Sequence, residues 1–264
     1  MKLWRRLGLP EPRSEASRGE LSLVDNEIYS GITVPAMPLF VRLDGWRFHG
    51  LAARKRFRTP YDRRFATAMV SAALELFEQF HPALAYVFSD EINLLFLRRP
   101  DFERVEKIDS VFAGIASAEF SLRLGRRAAF DCRAIPVGKG DIERYLVWRQ
   151  AEAWRNHNNA CAYWALRRKG MSGRAASERL KGLKTDELRR LARENGLDPA
   201  KRPLWEANGI LIAWERYKKT GYDPIRKRKV VVERKRPLVN WSPPLFFSRE
   251  GKRLLKKLTA PPLS

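Results

Sequence analysis

Asp44-Gly45 closes an apolar run that begins at Pro38, and Ser89-Asp90-Glu91 interrupts a second one, Ala85 to Phe96, in which nothing else is charged. A turn between two half-buried strands ordinarily carries Asn-Gly or Asp-Gly, so paired carboxylates there ask for another explanation. Aspartates at strand ends are hard oxygen ligands of the kind that hold Mg²⁺ through few protein contacts, leaving the other positions to water and phosphate. Two such ions about 3.5–4 Å apart activate an attacking hydroxyl and stabilise a leaving phosphate oxygen. The chemistry on offer is phosphoryl transfer of the polymerase type. Taken singly, each motif also has a plain structural reading: Asp44 starts a turn, and Asp90-Glu91 solvates a hairpin tip.

The two motifs can act together only if the fold brings them to one place. Pro38 to Leu43 reads as a strand ending at Asp44-Gly45, where glycine permits a bend. From Arg63 to Phe80, the residues Ala66, Met69, Val70, Ala73, Leu74, Phe77 and Phe80 recur at helical spacing, and His81-Pro82 ends the helix. Strands over Ala85 to Phe88 and Ile92 to Leu97 follow. A second amphipathic helix runs from Phe102 to Leu124, and a fourth strand from Ala128 to Pro136.

The order strand, helix, strand, strand, helix, strand is the ferredoxin-like βαββαβ arrangement of the α+β class. Its first and third strands are central neighbours, so Asp44 and Asp90 are expected at one edge of the sheet, with the hairpin as support. Beyond Gly140, Ile142 to Arg168 reads as a helix and Ser177 to Asn195 as two short ones. Leu204 to Tyr217 reads as a strand or hairpin remnant. The organisation expected is an arm over 1–32 with a short helix near Leu21 to Tyr29, a catalytic domain over 33–140, a helical extension over 141–224 and a basic segment over 225–264.

Charge names the partner class. The 264 residues carry 52 Lys and Arg against 30 Asp and Glu, a formal +22. A polyanion partner follows, nucleic acid first, because each neutralised phosphate releases condensed counterions. Arg226 to Lys229 and Arg234 to Arg236 concentrate that charge near the C-terminus. No run approaches the roughly 18 apolar residues of a spanning helix, so no membrane role is expected. The basic Met1 to Pro10 is not followed by the apolar stretch of a secretory leader. Cys132 and Cys161 form neither a zinc pattern nor a disulfide framework, and point to a reducing cytoplasm. His49, His81 and His157 are scattered and read as packing or surface residues. After Asp44, the run Gly45-Trp46-Arg47-Phe48-His49 offers backbone N–H groups to phosphate, while Trp46 or Phe48 packs against a base or, more commonly for an aromatic there, the core.

Asp44 to His49, Ser89-Asp90-Glu91 with its strands, Phe130-Asp131-Cys132-Arg133, and Trp148-Arg149-Gln150-Ala151-Glu152 together resemble the tRNA(His) guanylyltransferase family and its tRNA-repair relatives. The similarity runs from about Asn26 to Pro224. It implies a palm-like domain that extends RNA in the 3′-to-5′ direction, two Mg²⁺ ions, ATP and GTP as substrates, tRNA as partner and a homotetramer. It implies Asp44 and Asp90 as metal ligands with the Gly45 carbonyl, and Glu91 as their catalytic support. Nucleotide contacts are implied from Asp44, Gly45, Trp46, Arg47, Phe48, His49, Ser89 and Asp90, with Lys107 as a triphosphate contact. The reaction implied is activation of a 5′-monophosphate with ATP or GTP, then attack by the 3′-hydroxyl of a nucleoside triphosphate. Eukaryotic members carry HINNLYN where this chain has Trp154-Arg155-Asn156-His157-Asn158-Asn159-Ala160, and the family's first motif has Arg at the position of Trp46. Those departures resemble the archaeal or bacterial branch, in which templated repair is common.

Two other classes compete. A non-catalytic RNA-binding module can use the same sheet, but it would read RNA with aromatics on its central strands, where this chain puts Asp44 and Asp90 at the strand ends. A nucleotide cyclase would leave the excess positive charge without a role.

Overall fold

A computed structural model describes residues 6, 28–29, 31–48 and 57–260. Most of the expected arm, and His49, lie outside the described residues. The first strand, β1 (Leu39–Gly45), is followed by helix α1 (Arg63–Phe80), strands β2 (Leu84–Phe88) and β3 (Glu91–Phe96), helix α2 (Val105–Leu124) and strand β4 (Phe130–Pro136). Their sheet order is β4-β1-β3-β2, antiparallel throughout. The ferredoxin-like expectation holds.

Each helix begins and ends for a local reason. Asp62 caps α1 by accepting the Arg64 N–H at 2.8 Å, and His81 closes it in the left-handed region at φ 51°. Gly125 does the same for α2 at φ 60°. The strands are apolar nearly without a break because both faces of the sheet are covered. Val41, Leu43, Val87, Ile92 and Leu94 pack against α1 and α2, through residues such as Met69, Phe77 and Phe112. Phe40, Leu84, Tyr86 and Leu95 point the other way, onto α3 (Ile142–Arg168).

That second layer settles one alternative physically. The sheet face an RNA-binding module would expose is occupied by Tyr145 and Leu146 of α3, with the Phe40 and Tyr145 rings stacked 3.9 Å apart. The C-terminal half of α3 gathers α4 (Gly173–Leu180) and α5 (Thr185–Glu194) around Cys161, Ala165 and Leu188.

The strand or hairpin expected over Leu204 to Tyr217 is present from Ile210 on: a single turn α6 (Trp205–Asn208) leads into β5 (Ile210–Asp223), which pairs with β6 (Arg228–Asn240) to complete a six-stranded sheet. Only Ile210 to Ala213 pair with β2. From Trp214 to Asp223, β5 pairs with β6 alone. At about 3.3 Å per residue that leaves a two-stranded ribbon projecting roughly 30 Å. Helix α7 (Arg249–Leu258) returns to the α3 side, where Leu255 joins Phe246 and Tyr86. No helix among the described residues is long and apolar enough to cross a membrane.

Candidate active site

Strand register builds the site. Asp44 lies opposite Glu91 on β3 and opposite Asp131 on β4, so three neighbouring strands carry carboxylates in one row. Side chains alternate along a strand, and Asp44 shares its face with Phe40, which packs on α3. The row therefore faces the α3 layer. Asp90 joins it from the β2–β3 turn: the Gly45 N–H donates to the Asp90 carbonyl at 3.0 Å, and the Ser89 hydroxyl donates to Asp90 Oδ1 at 3.0 Å. Ser89 sits in the left-handed region at φ 48°, which turns the chain within two residues. Asp44 and Asp90 are thus brought together from distant parts of the sequence.

Four carboxylates at one end of a sheet repel one another. Burial, then Asp90, Glu91 and Asp131, push the Asp44 carboxyl up to about 6, with Arg133 opposing. Glu91 has its own counter-ion, accepting the Arg149 Nε–H and NH2 donors at 2.9 and 2.8 Å. Its Oε1 also accepts from Asn93 Nδ2 at 2.8 Å, and Asn93 Oδ1 accepts the Tyr145 hydroxyl at 2.7 Å. Asp131 is held by Arg133 at 2.5 Å. Two pairs further along, on the same face, Arg42 lies opposite Arg133 and Asn93, which puts two guanidinium groups and an amide behind the acidic row. Among the described residues no group of three or more His, Cys, Asp or Glu is arranged as a metal cage. Two carboxylates and a strand-end carbonyl, with water and phosphate filling the rest, is the donor set that suits Mg²⁺, and the excess negative charge around Asp44 fits a bound cation.

The turn after Asp44 is anchored in the core through Phe48. Phe48 is 5% exposed and packs its ring on Phe65, Phe120 and Phe130. A Cβ on Gly45 would come within 2.5 Å of that ring, which is why glycine stands there. The Phe48 ring is thus a core anchor, the commoner of the two roles its sequence setting allows. Trp46 and Arg47 are instead exposed, with Arg47 at φ 55°.

Lys107 lies in the first turn of α2, where the Val105 N–H donates to the Ile32 carbonyl. Val105 and Glu106 of that turn line a pocket together with Asp131 and Cys132, so the turn borders β4, the edge strand of the acidic row. Arg149, Asp131 and Arg133 gain individual roles only from the structure, although they stand in the motifs that carry the resemblance. The strand order alone is enough to place Asp131 beside Asp44, since β4 is the other neighbour of β1.

Residues 26–138 match the model of the tRNA(His) guanylyltransferase family. A tRNA(His) guanylyltransferase from Debaryomyces hansenii is 32% identical over 222 residues, covering 77% of this chain and 83% of that protein. The chain belongs to the tRNA(His) guanylyltransferase family. A probable tRNA(His) guanylyltransferase from Drosophila melanogaster is 26% identical over 220 residues, covering 78% of this chain and 73% of the relative. Among solved structures, a bacterial tRNA(His) guanylyltransferase-like protein in complex with ATP superposes with a TM-score of 0.68 at 23% identity, over 87% of this chain and 93% of that one. The tRNA(His) guanylyltransferase of Saccharomyces cerevisiae gives 0.65 at 19% identity, over 81% and 96%. At those identities the structural likeness speaks for the shared fold.

Proposed function

We propose that this chain adds guanosine to the 5′ end of tRNA in the 3′-to-5′ direction. The family membership supports the activity, and the row Asp131, Asp44, Glu91 with Asp90 beside it is the observation that carries the assignment to residues.

In the first step an oxygen of the tRNA 5′-monophosphate attacks the α-phosphorus of ATP or GTP and pyrophosphate leaves. In the second, the 3′-hydroxyl of a nucleoside triphosphate attacks the activated 5′ phosphate and the mononucleotide leaves. Asp44, Asp90 and the Gly45 carbonyl would hold Mg²⁺, which supplies Lewis-acid stabilisation of the phosphate oxygens and a more acidic hydroxyl. Glu91, fixed by Arg149, orients the turn that presents Asp90. Backbone N–H groups of the turn beyond Trp46, whose own N–H is held by Ala129, would meet phosphate oxygens, and the Ser89 hydroxyl would do so on leaving Asp90. No covalent enzyme intermediate is required, and positioning with charge stabilisation does the catalysis.

The exposed lysines and arginines of the β5–β6 ribbon are the surface we assign to tRNA phosphates, which fix register without reading sequence. A homotetramer and a reducing cytoplasmic setting complete the reading, the latter in keeping with the free thiols of Cys132 and Cys161.

The test uses purified protein, Mg²⁺, ATP, GTP and two 5′-monophosphorylated tRNA(His) transcripts, with C or A opposite the added position. Extension opposite C alone makes the enzyme a templated repair polymerase. Extension opposite both makes it a guanylyltransferase of the identity-setting kind. Extension of neither transcript, nor of 5′-truncated tRNAs, refutes the proposal.

A further inference from the structure

Next to the acidic row stands an aromatic side chain that the fold holds out into solvent. Trp46 is 57% exposed although it lies two residues from Asp44 and directly precedes residues tied to the core. Its position is fixed from both sides. The Trp46 N–H donates to the Ala129 carbonyl at 2.8 Å, and Phe48, two residues on, is buried among three phenylalanines. Between them Arg47 takes the left-handed conformation at φ 55°, which a side chain other than glycine seldom adopts. That conformation accompanies a guanidinium whose carbon stands 4.5 Å from the centre of the Trp46 ring. One cation covers one face of an indole. More than half of the residue remains accessible beside it.

An exposed tryptophan costs hydrophobic burial, and a neighbouring core into which an aromatic fits is at hand, since Phe48 fills it. We propose that the Trp46 indole, backed by the Arg47 guanidinium, is a stacking platform for a nucleobase whose phosphates lie at the carboxylate row. The inference rests on the proposed nucleotide chemistry and goes beyond it by assigning the base subsite to a side chain. Stacking on an indole uses the π-face that every base has, so this subsite holds a base without choosing among the four. Choice is then left to pairing with an RNA template. The base belongs either to a free nucleoside triphosphate or to the terminal nucleotide of the RNA; the chemistry is the same, and binding separates the two.

The experiment compares the wild-type chain with Trp46→Ala, Trp46→Phe and Trp46→Arg, each checked by circular dichroism melting. Equilibrium binding is measured with non-hydrolysable analogues of ATP, GTP, CTP and UTP in Mg²⁺, and with 5′-monophosphorylated tRNA with and without one unpaired 5′ nucleotide. Trp46→Ala is expected to weaken one or both kinds of ligand by about 5- to 100-fold, the range of one base stack. The loss should be equal among the four bases within about threefold, restored by Phe, and not restored by Arg. Loss confined to the triphosphates assigns the platform to the incoming nucleotide, and loss confined to the tRNA with the unpaired nucleotide assigns it to the RNA end. Undiminished binding by Trp46→Ala overturns the platform, as does a loss specific to one base or one that Arg restores as well as Phe. A wild-type chain that binds none of these ligands overturns both the platform and the nucleotide chemistry beneath it.

Discussion

Arg149 of α3 grips Glu91 of β3 by two hydrogen bonds, 2.9 and 2.8 Å long, with both side chains more than nine-tenths buried. The pair joins the helical layer to the strand that leaves the Asp90 turn. A buried ion pair of this kind is a modest source of net stability, because desolvating both ions offsets their attraction, yet removing one partner leaves an isolated buried charge.

Arg149→Ala should therefore destabilise the chain by about 3–5 kcal/mol in denaturant unfolding. The double variant Glu91→Gln with Arg149→Met removes both charges and should recover most of that loss. It should not recover nucleotide addition, since the turn carrying Asp90 loses its brace. A double variant with full activity would reduce Glu91 to a packing role.

His157 gives a pH dependence of stability. Burial lowers its pKa from 6.5 to about 4. Its surroundings are Pro199 O at 3.3 Å, Glu206 of α6 at 4.0 Å, Cys161 on its own helix, the Tyr61 ring, and the positive charges of Arg202 and of Arg189 on α5. Glu206 is engaged by Arg202 through two hydrogen bonds, which limits its help to an imidazolium. The folded state thus binds the proton less readily than the unfolded one. Stability from this residue is complete above pH 6.5 and falls as pH drops toward about 4, by about 3 kcal/mol in all. Unfolding measured from pH 7 to about pH 4.5 should show that slope in the wild type and less of it in His157→Asn. Equal slopes in the two would show that other groups carry the acid sensitivity.

The ribbon makes a salt-dependent prediction. Lys219, Lys229, Arg234 and Lys235 are exposed along it. Replacing all four with Gln should weaken tRNA binding and lower the slope of log K against log salt by about one for each phosphate left without its cation. Melting should hardly change, because the substitutions leave the three buried apolar clusters untouched. An unaltered slope would take the ribbon out of the tRNA interface.

How much of the molecule is legible in its sequence follows from what burial does to a residue pattern. β1, α1 and the β2–β3 hairpin carry apolar patterns set by two packed faces, and their order is enough to bring Asp44 and Asp90 together. Glu91 has the sequence setting of a solvated turn residue and is 6% exposed, because its neutralising partner Arg149 comes from α3, far along the chain. Phe48 divides in the sequence between base and core, since a loop aromatic shows its partners only after Phe65, Phe120 and Phe130 converge. Lys107 reads from the residues alone as one more helix lysine, and that its turn borders the strand of Asp131 shows only once Val105, Glu106 and Asp131 line one pocket. β6 is hidden because a ribbon exposed on both faces has no apolar alternation: Arg228 to Arg236 is exposed throughout except at Val230.

The most direct measurement is single-turnover 5′ extension of tRNA by wild type, Asp44→Ala and Asp90→Ala, with tRNA affinity measured on the same preparations. The account predicts extension by wild type, a loss of about 10³-fold or more in each variant, and tRNA affinities within about threefold of one another because the phosphate contacts lie elsewhere. Extension by either variant at a rate near that of the wild type would contradict it.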